Sequence, residues 1–333
     1  MGTPVKVSID AMGGDAGPTV YVPAAKQMLM RNPDLELLLV GQSEVITPLL
    51  NGSHKRLTIV EASEVVAMDE PPADALRKKK DSSLRVAIDL VKNGEADACV
   101  SAGNTGAMMA TARFVLKTLP GIDRPAIMTA LPTIKGHAHM LDLGANSDCT
   151  SDQLFQFAVM GSVVANVIDN ISEPRIGLLN IGSEGIKGND TIRQAALLLQ
   201  DSDLNYIGFV EGNDISKHKA DVVVCDGFSG NIALKSIEGT AHLVRHFMKQ
   251  EFKKGLYGRF AALVSMPILR ALAKSLDPRR YNGASLVGLN GIVIKSHGSA
   301  DIMAFKQAIH TAIIEVEKNV PEKIHQLLAA QEH

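Results

Sequence analysis

Five short segments of this 333-residue chain hold residue types suited to binding an anion. They are Asp10-Ala11-Met12-Gly13-Gly14-Asp15, Ser101-Ala102-Gly103-Asn104-Thr105-Gly106-Ala107, Leu141-Asp142-Leu143-Gly144-Ala145-Asn146, Asn180-Ile181-Gly182-Ser183-Glu184-Gly185-Ile186-Lys187-Gly188 and Cys225-Asp226-Gly227-Phe228-Ser229-Gly230-Asn231. Each reads as a tight turn that opens a helix. Glycine lets backbone N–H groups approach a ligand closely, and helix N-termini favour anions. Asn, Ser and Thr add neutral donors, and Lys187 adds a positive point charge. In an open parallel sheet, ligands bind beyond the carboxyl ends of the strands. Taken singly, any of these loops is explained as an ordinary turn. Five of them, read as lying at one edge of one sheet, predict a phosphate-like group held by several at once.

Other chemistries find less support. No GxGxxG follows the first apolar run, GxxxxGK[ST] is absent, and Ser229 in Gly-Phe-Ser-Gly-Asn does not make a GxSxG elbow. Cys99, Cys149 and Cys225 are far apart, form no CxxC pair, and lie in or beside apolar runs. They read as small buried residues of a protein in a reducing compartment. His137 and His139 alternate with Asp142 along a strand-like run, and no metal site is assigned to them. His297, in Ser296-His297-Gly298-Ser299-Ala300-Asp301, opens the last long helix, where Ser299 or Asp301 can serve as cap.

The elements that must position these loops are legible as periodicity. Apolar runs at 5–9, 36–40, 57–60, 98–100, 126–131, 176–179, 222–225 and 291–295 read as buried strands. Segments 19–30, 84–92, 106–117, 152–167, 191–199 and 300–316 carry helical spacing. Strand alternating with helix predicts an α/β fold with a largely parallel sheet covered on both faces. No repeat, low-complexity stretch or Gly/Ser linker interrupts it, so residues 1–333 read as a single α/β domain. Residues 235–285 depart from the alternation and read as a helical hairpin insertion. Residues 252–281 interleave apolar residues with Lys253, Lys254, Arg259, Arg270, Lys274, Arg279 and Arg280, and Pro267 is expected to break or kink the helix there.

Composition narrows the functional classes. Lys+Arg 34 against Asp+Glu 36 gives a net charge of -2, which removes the general argument for nucleic-acid binding. Aromatics at 4% and no Trp leave no base-stacking platform. No apolar run approaches the ~20 residues needed to span a bilayer. The first residues lead straight into a strand, so no signal peptide is expected, and Lys6 does not fit a myristoylation pattern.

Those loops in this order, together with His297-Gly298-Ser299-Ala300-Asp301, resemble the PlsX family, the bacterial phosphate acyltransferases that convert acyl-acyl-carrier protein to acyl phosphate. The likeness covers nearly the whole chain; where the family usually reads Gly-Ser-Ser in the last motif, Ala300 replaces the second Ser. The resemblance implies a Rossmann-like α/β/α three-layer sandwich, like phosphotransacetylases and isocitrate dehydrogenases, with the hairpin projecting. It also implies a homodimer, in the cytoplasm and peripherally associated with the inner face of the membrane, acting in phospholipid synthesis. It implies no cofactor. Phosphate is itself the nucleophile, and one high-energy acyl bond replaces another. Neither ATP nor a covalent acyl-enzyme is needed, which fits the missing P-loop and GxSxG.

The family points at Lys187 and Asn231 as the central pair, one neutralising charge and the other donating a hydrogen bond; the sequence leaves open which does which. Asp10, Gly13, Gly14, Asn104, Thr105 and Asn146 are the expected substrate and phosphate contacts, with Asp10 orienting Lys187 or a loop amide. His297 is a candidate proton donor to the leaving thiolate. Acyl carrier proteins are acidic, so Arg77, Lys78, Lys79, Lys80 and Arg85 are read as a docking site, against the plainer reading of a solvated loop. Residues 252–281 suit an anionic membrane surface, or dimer packing, and a membrane glycerol-3-phosphate acyltransferase is the implied recipient of the product. The rivals are a phosphotransacetylase using a CoA thioester, a non-catalytic regulatory module, and a dehydrogenase lacking the usual fingerprint.

Overall fold

Val7, Ile9, Leu37, Leu39, Ala98 and Val100 are fully buried, as expected of apolar runs covered on both faces. They belong to an 11-stranded sheet in a computed structural model that describes residues 4–50, 52, 55–275 and 277–331. In chain order the elements are β1 (Val5–Asp10), α1 (Pro18–Arg31), β2 (Leu35–Gly41), α2 (Ser43–Leu50), β3 (Leu57–Glu61), α3 (Pro72–Lys78), α4 (Ser83–Lys92), β4 (Ala98–Ser101), α5 (Thr105–Leu116), β5 (Ala126–Thr133), β6 (Gly136–Leu141) and α6 (Ser151–Asp169). There follow β7 (Ile176–Leu179), α7 (Asp190–Gln200), β8 (Tyr206–Val210), α8 (Gly212–Ser216), β9 (Val222–Val224), α9 (Gly227–Lys253), α10 (Gly255–Ser275), β10 (Ala284–Val287), β11 (Ile292–Lys295), α11 (Ile302–Lys318) and α12 (Val320–Gln331). Helices cover both faces, giving the mixed α/β sandwich. Tyr21 of α1 stacks on Phe305 of α11 over the first half of the sheet, and Phe157 and Met160 of α6 fill a separate core under the second half.

Strand direction corrects the expectation of one shared edge. The order is β3-β2-β1-β4-β11-β10-β5-β6-β9-β7-β8. β1 to β4 and β11 run parallel. β10 is antiparallel to both β11 and β5, and β5 to β6. β6, β9, β7 and β8 are then mutually parallel. Counting reversals, β6, β7 and β9 run opposite to β1, β4 and β11. Their loops therefore leave the sheet at the other edge. The reversal rests on β6 and β10. β6 carries two histidines and a glycine, and β10 is only four residues long; neither shows as an apolar run. β8 also escaped the pattern, its run interrupted by Gly208 at φ 91.

The helical region differs in detail. α9 begins at Gly227, so Asn231 lies within the helix and the turn of the hairpin falls at Gly255 (φ 60). Pro267 does not end α10, which continues to Ser275. The carbonyl that loses its donor is that of Leu263, whose residue is 69% exposed; there water can accept the role that a buried helix would leave vacant.

Candidate active site

The loops form two groups. The first lies at the carboxyl ends of β1, β4 and β11. Asp10 is buried, and its carboxylate accepts Ser101 Oγ at 2.6 Å and the Gly13 amide at 3.1 Å. Ser101 Oγ in turn accepts the Gly103 amide at 3.0 Å. Gly14 sits at φ +79, where a Cβ would lie 2.4 Å from the Tyr21 hydroxyl and 3.0 Å from the carbonyls of Ala102 and Gly298. Only glycine closes these three loops together. Asn104 caps α5 by accepting the Ala107 amide at 3.0 Å, and its Nδ2 donates to the carbonyls of Met68 and Glu70, each at 2.9 Å. Asn104 is thus committed to the scaffold. Thr105 follows it, exposed, at the first turn of α5.

Sequence reasoning missed Lys295, the last residue of β11. Its ammonium donates to the Ser296 carbonyl at 2.6 Å. Burial pushes its pKa down to about 8, against the opposing pull of Asp10 and Asp15. A lysine closing an otherwise apolar strand just before Ser-His-Gly-Ser was the available signal. His297 is exposed; its Nδ1 accepts the Ser299 amide at 3.2 Å, and the capping of α11 falls to Asp301.

The second group lies at the carboxyl ends of β6, β7 and β9. Asp142 is fully buried and accepts the amides of Ile127, Ala145 and Asn146 together with Asn146 Nδ2. Burial pushes its carboxyl above the usual range against those four hydrogen bonds. Asn146 Nδ2 also donates to the Pro125 carbonyl at 2.9 Å, so Asn146 too holds a loop in place. The Gly227 amide donates to the Asn146 carbonyl at 2.7 Å, and Asp226 caps α9 through the Ser229 amide at 2.8 Å. A Cβ on Gly230 would stand 1.9 Å from the Asp142 carbonyl oxygen. This close approach seats the first turn of α9 on the 142–146 loop and brings Asn231 against Gly144.

On the neighbouring strand, Asn180 Nδ2 donates to the Lys187 carbonyl at 3.2 Å and shapes the long loop. Leu178 of β7 pairs with Val224 of β9, so this loop and the start of α9 leave the same edge side by side. Lys187 and Asn231 are both exposed, and among the described residues neither side chain has a hydrogen-bond or ion-pair partner. Around them Ile181 and Ile186 are each 82% exposed and Phe228 63%. An unpaired cation and a free amide among exposed apolar residues are equipped to meet an anion attached to an apolar chain.

Three expectations are narrowed or changed here. Of the two roles expected of Asp10, orienting Lys187 or a loop amide, the structure has the second: its carboxylate accepts the Gly13 amide, and Ser101 Oγ, at the other edge. His297 likewise belongs to the first group, not beside Lys187. Asp142 stands apart from His137 and His139; the acid that meets them is Asp169, at the end of α6. The thiols offer no nucleophile: burial pushes Cys99 and Cys225 up, and Cys149 up to about 12. In the basic run, Lys78 pairs with Asp74 at 3.1 Å, Lys79 with Glu70 at 2.8 Å and Arg85 with Asp89 at 2.9 Å. Only Arg77 and Lys80 of that set have no ion-pair partner among the described residues.

A mixed sheet in two oppositely directed halves, with glycine loops at its strand ends, defines the class of phosphotransacetylase-like α/β folds. The solved phosphotransacetylase of Streptococcus pyogenes superposes with a TM-score of 0.64 at 23% identity, covering 95% of each chain. Residues 5–323 match the family described as "Fatty acid synthesis protein". A protein of Alkalilimnicola ehrlichii named phosphate acyltransferase is 62% identical over 98% of each chain. One of Nitrosococcus oceani with the same name is 59% identical over 96% of this chain and 95% of its own. The chain belongs to this family, the PlsX family that its loops resemble, and is an acyltransferase.

Proposed function

We propose that this acyltransferase passes a long-chain acyl group from the thioester of an acyl carrier protein to inorganic phosphate. A phosphate oxygen attacks the thioester carbonyl, the C–O bond forms, and the C–S bond breaks. The electron pair leaves on sulfur, which takes a proton, and the products are an acyl phosphate and the carrier thiol. The observation that carries the reading is that Lys187 and Asn231 are exposed and, among the described residues, unpaired on two segments that leave neighbouring strands at one edge, with Ile181, Ile186 and Phe228 exposed on the same segments. Lys187 neutralises phosphate or the developing oxyanion, and Asn231 donates to the other oxygen; a single lost donor of this kind costs ~10²–10³ in rate.

The other loop group supplies the second wall. Gly13, Gly14, Thr105 and Lys295 line it, with His297 as proton donor to sulfur. Sheet twist of roughly 20–25° per strand accumulates to about 100–125° over the five steps from β4 to β9. The proposal requires twist of this size to turn the formally opposed carboxyl ends toward one side of the molecule, so that a substrate laid across the middle of the sheet meets both.

The deciding experiment is a thiol-release assay with palmitoyl-acyl-carrier protein, with and without phosphate, on the native enzyme and Lys187→Ala. Phosphate-dependent release that Lys187→Ala abolishes supports the reading; phosphate-independent release sinks it. A second reading, a CoA-thioester phosphotransacetylase, gains from the ion pairs that neutralise Lys78, Lys79 and Arg85. It predicts turnover of acetyl-CoA and silence with the carrier thioester.

The same proposal places the protein in the cytoplasm, held peripherally on the inner face of an anionic membrane by residues 252–281. Supporting it, Leu256, Phe260, Leu263, Val264 and Ile268 are each more than 60% exposed, beside Lys253, Arg259 and Arg270. No helix among the described residues is long and apolar enough to cross a bilayer. There the acyl phosphate is handed to a membrane glycerol-3-phosphate acyltransferase. A homodimer would cover the same face. Leu263→Glu with Ile268→Glu separates the two: lost binding to anionic liposomes with unchanged mass in solution supports the membrane role, and an altered mass with liposome binding intact supports the dimer.

A further inference from the structure

We infer that His137, His139 and Asp169 form a binding site for a divalent borderline transition-metal ion, with zinc as the type. His137 and His139 alternate on β6, so both rings project from one face of the sheet. α6 crosses that face and ends at Asp169. His137 Nε2 lies 3.1 Å from each Asp169 carboxylate oxygen, and His139 Nε2 lies 2.6 Å from Oδ2. All three donor groups fall within 4.8 Å of one another. Two imidazoles and a carboxylate make a donor set of the kind zinc takes at 2.0–2.2 Å, whereas calcium and magnesium want oxygen throughout. Tetrahedral angles at such bond lengths put donor atoms roughly 3.3 Å apart. The closest contact, at 2.6 Å, would open by about 0.7 Å, and the widest, no more than 4.8 Å, would close toward the same value.

Two further features suit an ion. The rings of His137 and His139 stand edge to face at 89°, so they converge on the carboxylate from different directions without stacking. Beside them lies a cavity of about 220 Å³, lined also by Tyr281, Asn282, Thr311 and Glu315. It has room for the water that would fill a fourth position. Without an ion, each Nε2 must carry the proton it donates to Asp169. With one, the Nε2 lone pairs face the metal and the protons sit on Nδ1. The hydrogen-bonded triad and the metal site are therefore alternatives built from the same atoms.

The ion would tie the first residues of β6 to the last residue of α6, closing a span of 32 positions. That span contains the Asp142–Asn146 loop at its far end, so the ion would brace the unit without touching Lys187 or Asn231. The consequence is a metal-dependent stability with little metal dependence in turnover.

The test uses untagged full-length protein stripped with a chelator and titrated with zinc chloride against a chromophoric competitor, then with cobalt(II). The expected result is one ion per chain, visible cobalt bands with histidine ligation, and a Tm raised by about 3–5 °C at hundredfold excess over Kd. His137→Gln at the half-exposed ring and Asp169→Asn should each weaken binding by at least ~100-fold. His242→Gln, exposed on α9 and outside the cluster, should leave it unchanged. Because Asp169→Asn also removes the partner of both rings, circular dichroism and the His137→Gln result guard against reading misfolding as lost ligation. No stoichiometric binding, or binding indifferent to His137→Gln in a folded protein, would overturn the inference.

Discussion

The two groups of loops solve the same problem differently. At the ends of β1, β4 and β11, polar groups are spent on one another: Asp10 on Ser101 and Gly13, Ser101 on Gly103, Asn104 on two backbone segments, 67–70 and the first turn of α5. At the ends of β6, β7 and β9 the spending falls on Asp142, Asn146, Asn180 and Asp226, buried or half-buried, with Ser229 and Asn189 beside them. What they hold forward, Lys187 and Asn231, makes no side-chain bond of its own among the described residues. The lesson is that polarity beside a glycine turn does not mark a ligand contact. The polar residues free to meet a ligand are those left over once the loop's own backbone has been satisfied.

The sharpest way to break this contrast is to delete the leftover groups. Lys187→Ala should lower kcat/KM by ~10³ and Asn231→Ala by ~10²–10³, with fold retained. His297→Ala, in the first group, should cost less than ~100-fold, the scale of a proton donor that water can replace. Steady-state thiol release under saturating phosphate gives all three. Equal losses across the two groups would erase the distinction between scaffold and reactive edge.

Next in size is the scaffold itself. Gly230→Ala forces a Cβ to 1.9 Å from the Asp142 carbonyl oxygen, a backbone atom that cannot swing away. Displacing the first turn of α9 should cost about 3 kcal/mol or more in stability. Gly185→Ala, in the loop that carries Lys187, meets nothing within 4 Å and should change stability by less than ~0.5 kcal/mol. Urea unfolding of both variants checks the pair. A tolerant Gly230 would mean that the seating of α9 on the 142–146 loop is not what positions Asn231.

How much of this was legible in the sequence follows from the same contrast. Strands such as β1 and β2, buried on both faces, announce themselves as apolar runs, and α5 and α6 by spacing and caps. β6 and β10 do not, because one carries His137 and His139 toward a cavity and the other is four residues long. The sequence pattern does not show β10 as a strand and does not place the strand-like run with His137 and His139 in the sheet, so the reversal of strand direction stays hidden and five loops read as one edge. The loops themselves were readable from glycine context; the partners of their polar residues were not, since Asp142 to Ile127 and Asn104 to Met68 are contacts between distant segments. Lys295 was overlooked because a charged residue at a strand end usually means solvent.

A buried carboxylate with a thinner set of partners sharpens the comparison from a third side. Glu315 in α11 is fully buried and receives Ser285 Oγ at 3.0 Å, where Asp142 receives four hydrogen bonds. Burial raises its pKa from 4.5 to about 7. The folded state thus holds a proton that the unfolded chain releases above pH ~4.5. Stability should fall as pH rises from about 4.5 to about 7 and then level off, by at most about 3 kcal/mol. Glu315→Gln, which cannot ionise, should flatten that slope. Denaturant midpoints at pH 5 and 7.5 decide it; an unchanged slope in the variant would assign the pH dependence to other groups.

The smallest effect is expected at the basic run. Lys78, Lys79 and Arg85 already have acidic partners, so an incoming acidic carrier would gain little from them without breaking those pairs. Arg77 and Lys80 are what remains. Exposed charges at the rim of an interface act on encounter more than on the bound state, at roughly 0.2–1 kcal/mol per pair. Arg77→Glu with Lys80→Glu should therefore raise KM for the carrier thioester by about fivefold at low salt. The difference should fade when added salt shortens the screening length to ~3 Å near 1 M. Turnover at saturating carrier should hold, because neither residue reaches the edge where Lys187 and Asn231 stand. A KM that does not move at low salt would take docking away from this run and leave the cations of residues 252–281 as the surface for the carrier, in competition with the membrane.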